Sequence, residues 1–264
     1  MWRQFATVWS YRHFWLSLAG MDLRVRYRRS ILGIGWSLLN PIVMTVVFCV
    51  AFASWLGNGD WRSAAPFYIC GLAVWEFIKH SAVQGSLTFA RNESYIRQSP
   101  LPLVVYTLRT VLGTSLHCVI SLVVAIAAAA VLNRDSHATP FLAMGAVLPS
   151  VLLLAFFGWA VTTLFASANV FFHDTQHLAE VSFGIGFFLT PIIYPKQLLV
   201  ERGLGFVSDF NPVAIFLDVI RDPILTGHVP SMVAFERAFG LTVIAVGLAL
   251  VVLNRCERRV IFHL

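Results

Sequence analysis

Residues 31–56 run for 26 positions without a charged side chain. A stretch of about 20 predominantly apolar residues is long enough to cross the hydrocarbon core of a bilayer as a helix. Lipid offers the backbone no partners, so such a segment must satisfy its own hydrogen bonds. The rest of the chain follows the same rule. Of 264 residues, 58% are hydrophobic and 12% charged, with a mean hydropathy of +0.76. Average soluble domains carry about 25% charged residues. A globule of this length could not cover its surface with so few charges. That excludes an ordinary soluble enzyme, a disordered chain and a small disulfide scaffold. The expected fold is an all-α integral membrane protein.

With 31–56, further spans at 64–90, 101–132, 141–168, 178–194 and 233–254 make six transmembrane helices. The second span carries Glu76, Lys79 and His80 at i, i+3 and i+4, one face of a helix, where they can pair. The third carries His117, and Arg109 near its start can snorkel to the surface. The fifth is short and ends at Thr190 and Pro191. Within the N-terminal segment 1–30, residues 2–19 place Trp2, Phe5 and Trp9 at helical spacing, which suits an interfacial helix. The first apolar run starts near Ile31, too late and too long for a cleavable signal peptide. Between spans five and six, residues 203–227 read as re-entrant helices, with a break at Pro223. Irregular backbone at membrane depth is tolerated only under cover of protein or a water-filled cavity. The whole chain, 1–264, is read as one transmembrane domain.

Nineteen basic and thirteen acidic residues leave a net charge of +6. With the N-terminus inside, eleven basic residues fall in inner segments and six in outer ones, and Lys79 and Arg109 lie within spans. This bias puts both termini in the cytoplasm. The basic residues read as topology signals and lipid-headgroup contacts, with no nucleic-acid partner. The four cysteines show no CxxC spacing, so no disulfide framework or metal site is expected.

A P-loop needs a lysine after glycine to reach a nucleotide's phosphates. The only lysines, Lys79 and Lys196, do not follow glycine, and HExxH is absent. The chain is therefore not expected to hydrolyse ATP by that route, and no catalytic residue is assigned. Two other classes stay open on residues alone. Asp218 and Asp222, at i and i+4, could be the acid pair of an integral membrane glycosyl- or acyltransferase, though no DxD or HxxxxD pattern accompanies them. A proton-driven secondary transporter would need acids in other spans, and spans one and four offer none.

Three stretches carry a likeness that extends, in order, over essentially the whole chain. Residues 22–41 (DLRVRYRRSILGIGWSLLNP) closely resemble the opening of permeases from type-2 ABC exporters of bacterial cell-surface polysaccharides. Residues 171–177 (FFHDTQH) match the stretch before span five, with His173 where that family usually has an arginine before Asp174. Residues 189–195 (LTPIIYP) match the end of span five, and Asn211 and Pro212 follow as in the family. Asn40 before Pro41 resembles O-antigen and teichoic acid exporters more than capsule exporters.

The resemblance implies a transport subunit, not an enzyme, of the bacterial inner membrane. It implies a homodimer working with two copies of a cytoplasmic ABC ATPase. No cofactor is then bound by this chain, and ATP and Mg enter through the partner. It implies re-entrant helices at 203–227, and a coupling helix at 91–100 whose ATPase contacts are Arg91, Asn92, Glu93, Ser94, Tyr95, Ile96 and Arg97. It also implies a channel at the dimer interface, lined mainly by spans one and five. Phe48, Phe52 and Trp55 lie on one face of span one, and Phe183 and Phe187 on one face of span five, with Tyr194 near its end. These six are the candidate channel lining, since aromatic faces meet sugar C–H groups without tight binding. Arg24, Arg26, Arg28 and Arg29 are the candidates for recruiting the pyrophosphate of an undecaprenyl-linked polysaccharide. Each basic residue beside an anionic surface contributes about 1 kcal/mol.

Overall fold

The computed structural model describes residues 15, 17, 20, 21, 24, 30, 33, 35–56, 60–98, 101–132 and 140–263. Most of the interfacial helix expected at 2–19, and the side chains of Arg26, Arg28, Arg29 and Trp55, lie outside the described residues. Residues 15, 17, 20, 21 and 24 are helical, and from Gly35 onward the described residues form eleven helices; no strand occurs among the described residues. In order they are α1 Gly35–Leu56, α2 Trp61–Ser86, α3 Thr88–Arg91, α4 Glu93–Gln98, α5 Val104–Leu132 and α6 Pro140–Phe171. Then come α7 Thr175–Leu189, α8 Lys196–Glu201, α9 Gly205–Phe210, α10 Pro212–Leu225 and α11 Met232–His263.

Four helices contain stretches long and apolar enough to cross a membrane: Gly35–Phe52, Val104–Leu132, Gly145–Phe171 and Met232–Cys256. They lie in α1, α5, α6 and α11. The two other expected spans differ from these for separate physical reasons. Helix α7 has 15 residues. At 1.5 Å per residue it reaches about 22 Å, short of a hydrocarbon core of about 30 Å. Helix α2 is long enough, at 26 residues, but less apolar.

The packing accounts for the lower hydropathy of α2. It touches α1, α5, α6, α7 and α10 and is the hub of the bundle. Tyr68, Cys70 and Val74 are fully buried, and Trp75, Phe77 and Ile78 nearly so. A helix covered by other helices has no lipid-facing surface to keep apolar, and small or polar residues at such contacts let backbones approach. At Gly85 the helix lies close against α6. A Cβ there would lie 2.9 Å from Thr162 Cα, on backbone that has no room to give way. Beside it, the Thr162 hydroxyl donates to the Ser81 carbonyl across 2.9 Å. Gly85→Ala is expected to destabilise by about 1–3 kcal/mol. The check is the thermal unfolding midpoint of the detergent-solubilised protein, and an unchanged midpoint would show that α2 and α6 part easily.

Helix α2 begins at Asp60, whose carboxylate accepts from the Arg62 amide across 3.0 Å. Helix α11 packs mainly on α6 and α10. Helix α7 lays one face on α2 and leaves the other uncovered in this chain, with Leu178, Val181, Ile185 and Phe188 more than 60% exposed.

Candidate functional site

At one end of the bundle, α3 and α4 form an elbow between α2 and α5. The segment expected as one helix at 91–100 is divided: Arg91 ends α3, Asn92 is the corner, and α4 spans Glu93–Gln98. Asn92 is buried and fastens the corner on both sides. Its Nδ2 donates to the Thr88 carbonyl across 2.8 Å, and its Oδ1 accepts from Arg109 Nη1 across 2.8 Å. Arg109 therefore ties the elbow to α5. Ile96, four residues on from Asn92, also faces inward, within a cluster that includes Phe89, Tyr106 and Leu253. Arg91, Ser94, Tyr95 and Arg97 point outward. The Arg91 guanidinium donates to Gln84 Oε1 across 2.8 Å, and Arg97 pairs with Glu93 at 2.9 Å. The seven candidate contact residues thus separate into two inward anchors and an outward face, with Glu93 half-buried between them.

The aromatic candidates of α1 and α7 are brought together, over α2. Phe48 packs against Phe52 at 6.1 Å, Tyr68 at 5.9 Å and Phe187 at 6.0 Å between ring centres. Trp75 meets Phe183 at 5.4 Å and Phe187 at 5.5 Å, both edge to face. Phe48 is buried, while Phe183 and Phe187 are half-buried. Tyr194 packs against the same core, its hydroxyl donating to the Phe188 carbonyl across 2.8 Å.

At the opposite end, the two motifs after span five meet each other. Thr190 caps α7, its amide and hydroxyl both donating to the Gly186 carbonyl, and Pro191 ends the helix. Asn211 caps α10, its Oδ1 accepting from the Val213 amide across 2.9 Å, while its Nδ2 donates to Thr190 Oγ1 across 2.8 Å. The break between short helices therefore falls at Asn211, not at Pro223. Pro223 sits in the last turn of α10, where its missing N–H and ring disturb a helix that is already ending.

Arg221 is the residue that the sequence reading missed. It stands in the apolar stripe of α10 with Leu217 and Ile224, at i, i+4 and i+7. Its guanidinium donates to the carbonyls of Pro191 at 2.6 Å and Ile192 at 2.8 Å, and stacks 3.7 Å over the Phe67 ring. Gly71 makes the space: a Cβ there would fall within the guanidinium. An arginine inside an apolar stripe was the available signal. Above it, Lys196 joins Asp209 at 3.2 Å and Asp218 at 3.1 Å, and Arg237 reaches Asp209 at 3.7 Å, linking α8, α9, α10 and α11. Burial alone would lower the Lys196 ammonium. The hydrogen bonds and charges of Asp218 and Asp209 outweigh it and hold the group above its ordinary value.

The ionisable residues of α2 do pair. Glu76 meets Lys79 at 3.5 Å and His80 at 3.2 Å. They border a cavity that α1, α5 and Phe187 of α7 also line.

The model of the family described as ABC-2 type transporter matches residues 14–225. The chain is similar to an O-antigen export system permease protein RfbA of Klebsiella pneumoniae, at 25% identity over 80% of this chain and 79% of the relative. A second Klebsiella pneumoniae relative of the same name is also 25% identical, over the same shares. The RfbA protein of Myxococcus xanthus is 27% identical over 78% of each chain.

Proposed function

The chain belongs to the ABC-2 type transporter family, and on that premise we propose that it is the membrane-spanning subunit of an ATP-driven exporter of lipid-linked, O-antigen-like polysaccharide. The observation that carries this reading is its similarity, over about four-fifths of its length, to permeases named for O-antigen export. The working unit is a homodimer in the bacterial inner membrane, both termini cytoplasmic, with two copies of a cytoplasmic ATPase. Six helices cross the membrane: α1, α2, α5, α6, α7 and α11. The short α7 is completed by α8–α10, which re-enter from the outer side. Residues 1–30 lie along the cytoplasmic interface.

Within this machine the elbow α3–α4 docks into the ATPase. Its buried anchors, Asn92 and Ile96, pass movement to α2 and α5, and Arg109 makes the link to α5 direct. The uncovered face of α7, with α1 beside it, meets the partner copy around the glycan path, and the edges of Phe183 and Phe187 border that path. Co-expression tests the whole reading. The chain is expected to co-purify with an ABC ATPase and to deliver glycan to the outer side only when ATP is hydrolysed. Export that persists without the ATPase would overturn it.

The basic cluster recruits the substrate's pyrophosphate at the cytoplasmic surface. Arg24, the member within the described residues, is exposed. Charge reversal at Arg26 and Arg28 is expected to stop export while topology stays intact, as read by cysteine accessibility from each side. Export that survives in a correctly inserted variant would leave these residues as anchors alone.

A further inference from the structure

At the end of the bundle away from the α3–α4 elbow, a cavity of about 210 Å³ lies where α8, α9, α10 and α11 meet. Its polar lining is Lys196, Ser208, Asp209, Asp218, Ser231 and Arg237. The two cations and two carboxylates sum to zero, yet the cluster leaves hydrogen-bonding capacity over. Lys196 donates to Asp209 Oδ1 and Asp218 Oδ2 and keeps a third N–H. Asp209 Oδ2 and Asp218 Oδ1 take no part in these pairs. The Arg237 guanidinium approaches Asp209 only to 3.7 Å, too far for a hydrogen bond, and its side chain is 54% exposed. Ser208 is buried in the wall, and its hydroxyl has no partner. Buried hydroxyls normally have one, so this one points to a polar occupant.

The lining selects among ligand chemistries. An anion alone would face two carboxylates, and a metal ion would face Lys196 and Arg237. A quaternary ammonium needs an aromatic cage, and a sugar ring rests its C–H face on an aromatic wall. None of the described residues that line this cavity is aromatic. A phosphate joined to a primary ammonium meets every condition. Its phosphate oxygens accept from Arg237 and Lys196, and its ammonium donates to the free oxygens of Asp209 and Asp218, all as charge-assisted bonds. The volume falls below the roughly 300–1,000 Å³ of sites that enclose a drug-sized ligand, which suits a headgroup.

The surroundings select a lipid over a soluble zwitterion. The segments that line the cavity also carry exposed apolar side chains. Phe206 and Phe210 on α9 are 60% and 84% exposed, and Met232 and Val233 at the start of α11 are 73% and 58% exposed. Apolar side chains beside polar groups suit the boundary between headgroups and acyl chains. We propose that this cavity binds the phosphoethanolamine headgroup of a bilayer phospholipid, whose acyl chains lie against Phe206, Phe210, Met232 and Val233. The bound lipid fastens α8, α9 and α10 to α11. The proposal rests on the export reading above in placing this end of the bundle at the outer leaflet.

The test uses the full chain with its ATPase in detergent micelles. Three probe lipids share the same short acyl chains and carry phosphoethanolamine, phosphocholine or phosphoglycerol heads. The phosphoethanolamine lipid is expected to bind about tenfold more tightly than the other two, the equivalent of about 1.4 kcal/mol. Asp218→Asn and Arg237→Gln are each expected to lower its affinity to that of the others. Should Asp218→Asn, which also weakens a Lys196 pair, lower the unfolding midpoint, the exposed Arg237 decides the matter. Equal binding of the three lipids overturns the site, as does a preference that survives Arg237→Gln. Tighter binding of the phosphoglycerol lipid also overturns it, since the cations alone would then read the phosphate. Chain-free phosphoethanolamine is expected not to compete at equal concentration, and competition would overturn the lipid as occupant. Export by the wild-type chain separates the two readings. If ATP-dependent export proceeds without the headgroup preference, this site fails and the transporter stands. If the preference holds and no ATP-dependent export occurs, the transporter reading fails and the headgroup site stands.

Discussion

Replacing Arg221 by leucine is expected to destabilise the protein by about 2–6 kcal/mol, taking about 1–3 kcal/mol for each buried carbonyl left without its donor. The two carbonyls, of Pro191 and Ile192, lie where α7 has just ended, and both residues are buried. Lipid and apolar side chains offer them no replacement. Arg221 thereby holds α10 to the end of α7, and the Asn211–Thr190 hydrogen bond is a second tie a few residues away. Arg221→Lys keeps the charge but not the planar fork that reaches two acceptors while stacking on Phe67, so an intermediate loss is expected. Gly71→Ala presses on the same guanidinium from α2 and is expected to cost about 1–3 kcal/mol through overpacking. Thermal unfolding of the solubilised protein reads all three. A wild-type midpoint for Arg221→Leu would show that the α7–α10 junction is held by other contacts.

The second large effect is expected at the elbow, where fold and function separate cleanly. Tyr95 is 46% exposed and points away from the bundle. Tyr95→Ala should leave the fold within about 0.5 kcal/mol, as surface substitutions do. If α4 is the ATPase dock, an exposed tyrosine at its centre has the character of a binding hot spot, worth about 2 kcal/mol or more. ATPase binding should then weaken by about thirtyfold and export fall with it. Asn92→Ala should behave differently. It removes the bonds to Thr88 and Arg109, so the elbow loosens from α5 and the unfolding midpoint falls. Pull-down of the ATPase and ATP-driven export, measured beside the midpoint, distinguish the two variants. Unchanged ATPase binding and export with Tyr95→Ala would remove α4 from the docking surface.

Much of the fold was legible along the chain because helices in lipid announce themselves locally. The uncharged run at 31–56 contains α1, and the expected spans at 101–132 and 141–168 fall within a few residues of α5 and α6. The Glu76, Lys79 and His80 pairing followed from 3.6-residue periodicity alone. The candidate site was legible only as a set of separate stretches. Residues 189–195 and Asn211 were each identifiable, but not that Thr190 and Asn211 bond to each other. The aromatic faces of α1 and α7 were identifiable, but not that Tyr68 and Trp75 of α2 lie between them.

By itself the sequence determined that this chain lives in a bilayer, roughly where its long apolar helices run, and which family its motifs resemble. These follow from composition and short-range spacing, since hydropathy and helical period act within a few turns. The tertiary structure decided which helix is central, and why Arg221 is buried rather than counted among surface charges. It also decided that Asn211, not Pro223, separates the helices before α11. Each of these depends on a partner at least twenty residues away. An arginine has the same hydropathy wherever it stands; only two carbonyls, an aromatic ring and a glycine brought from other helices make its burial stable.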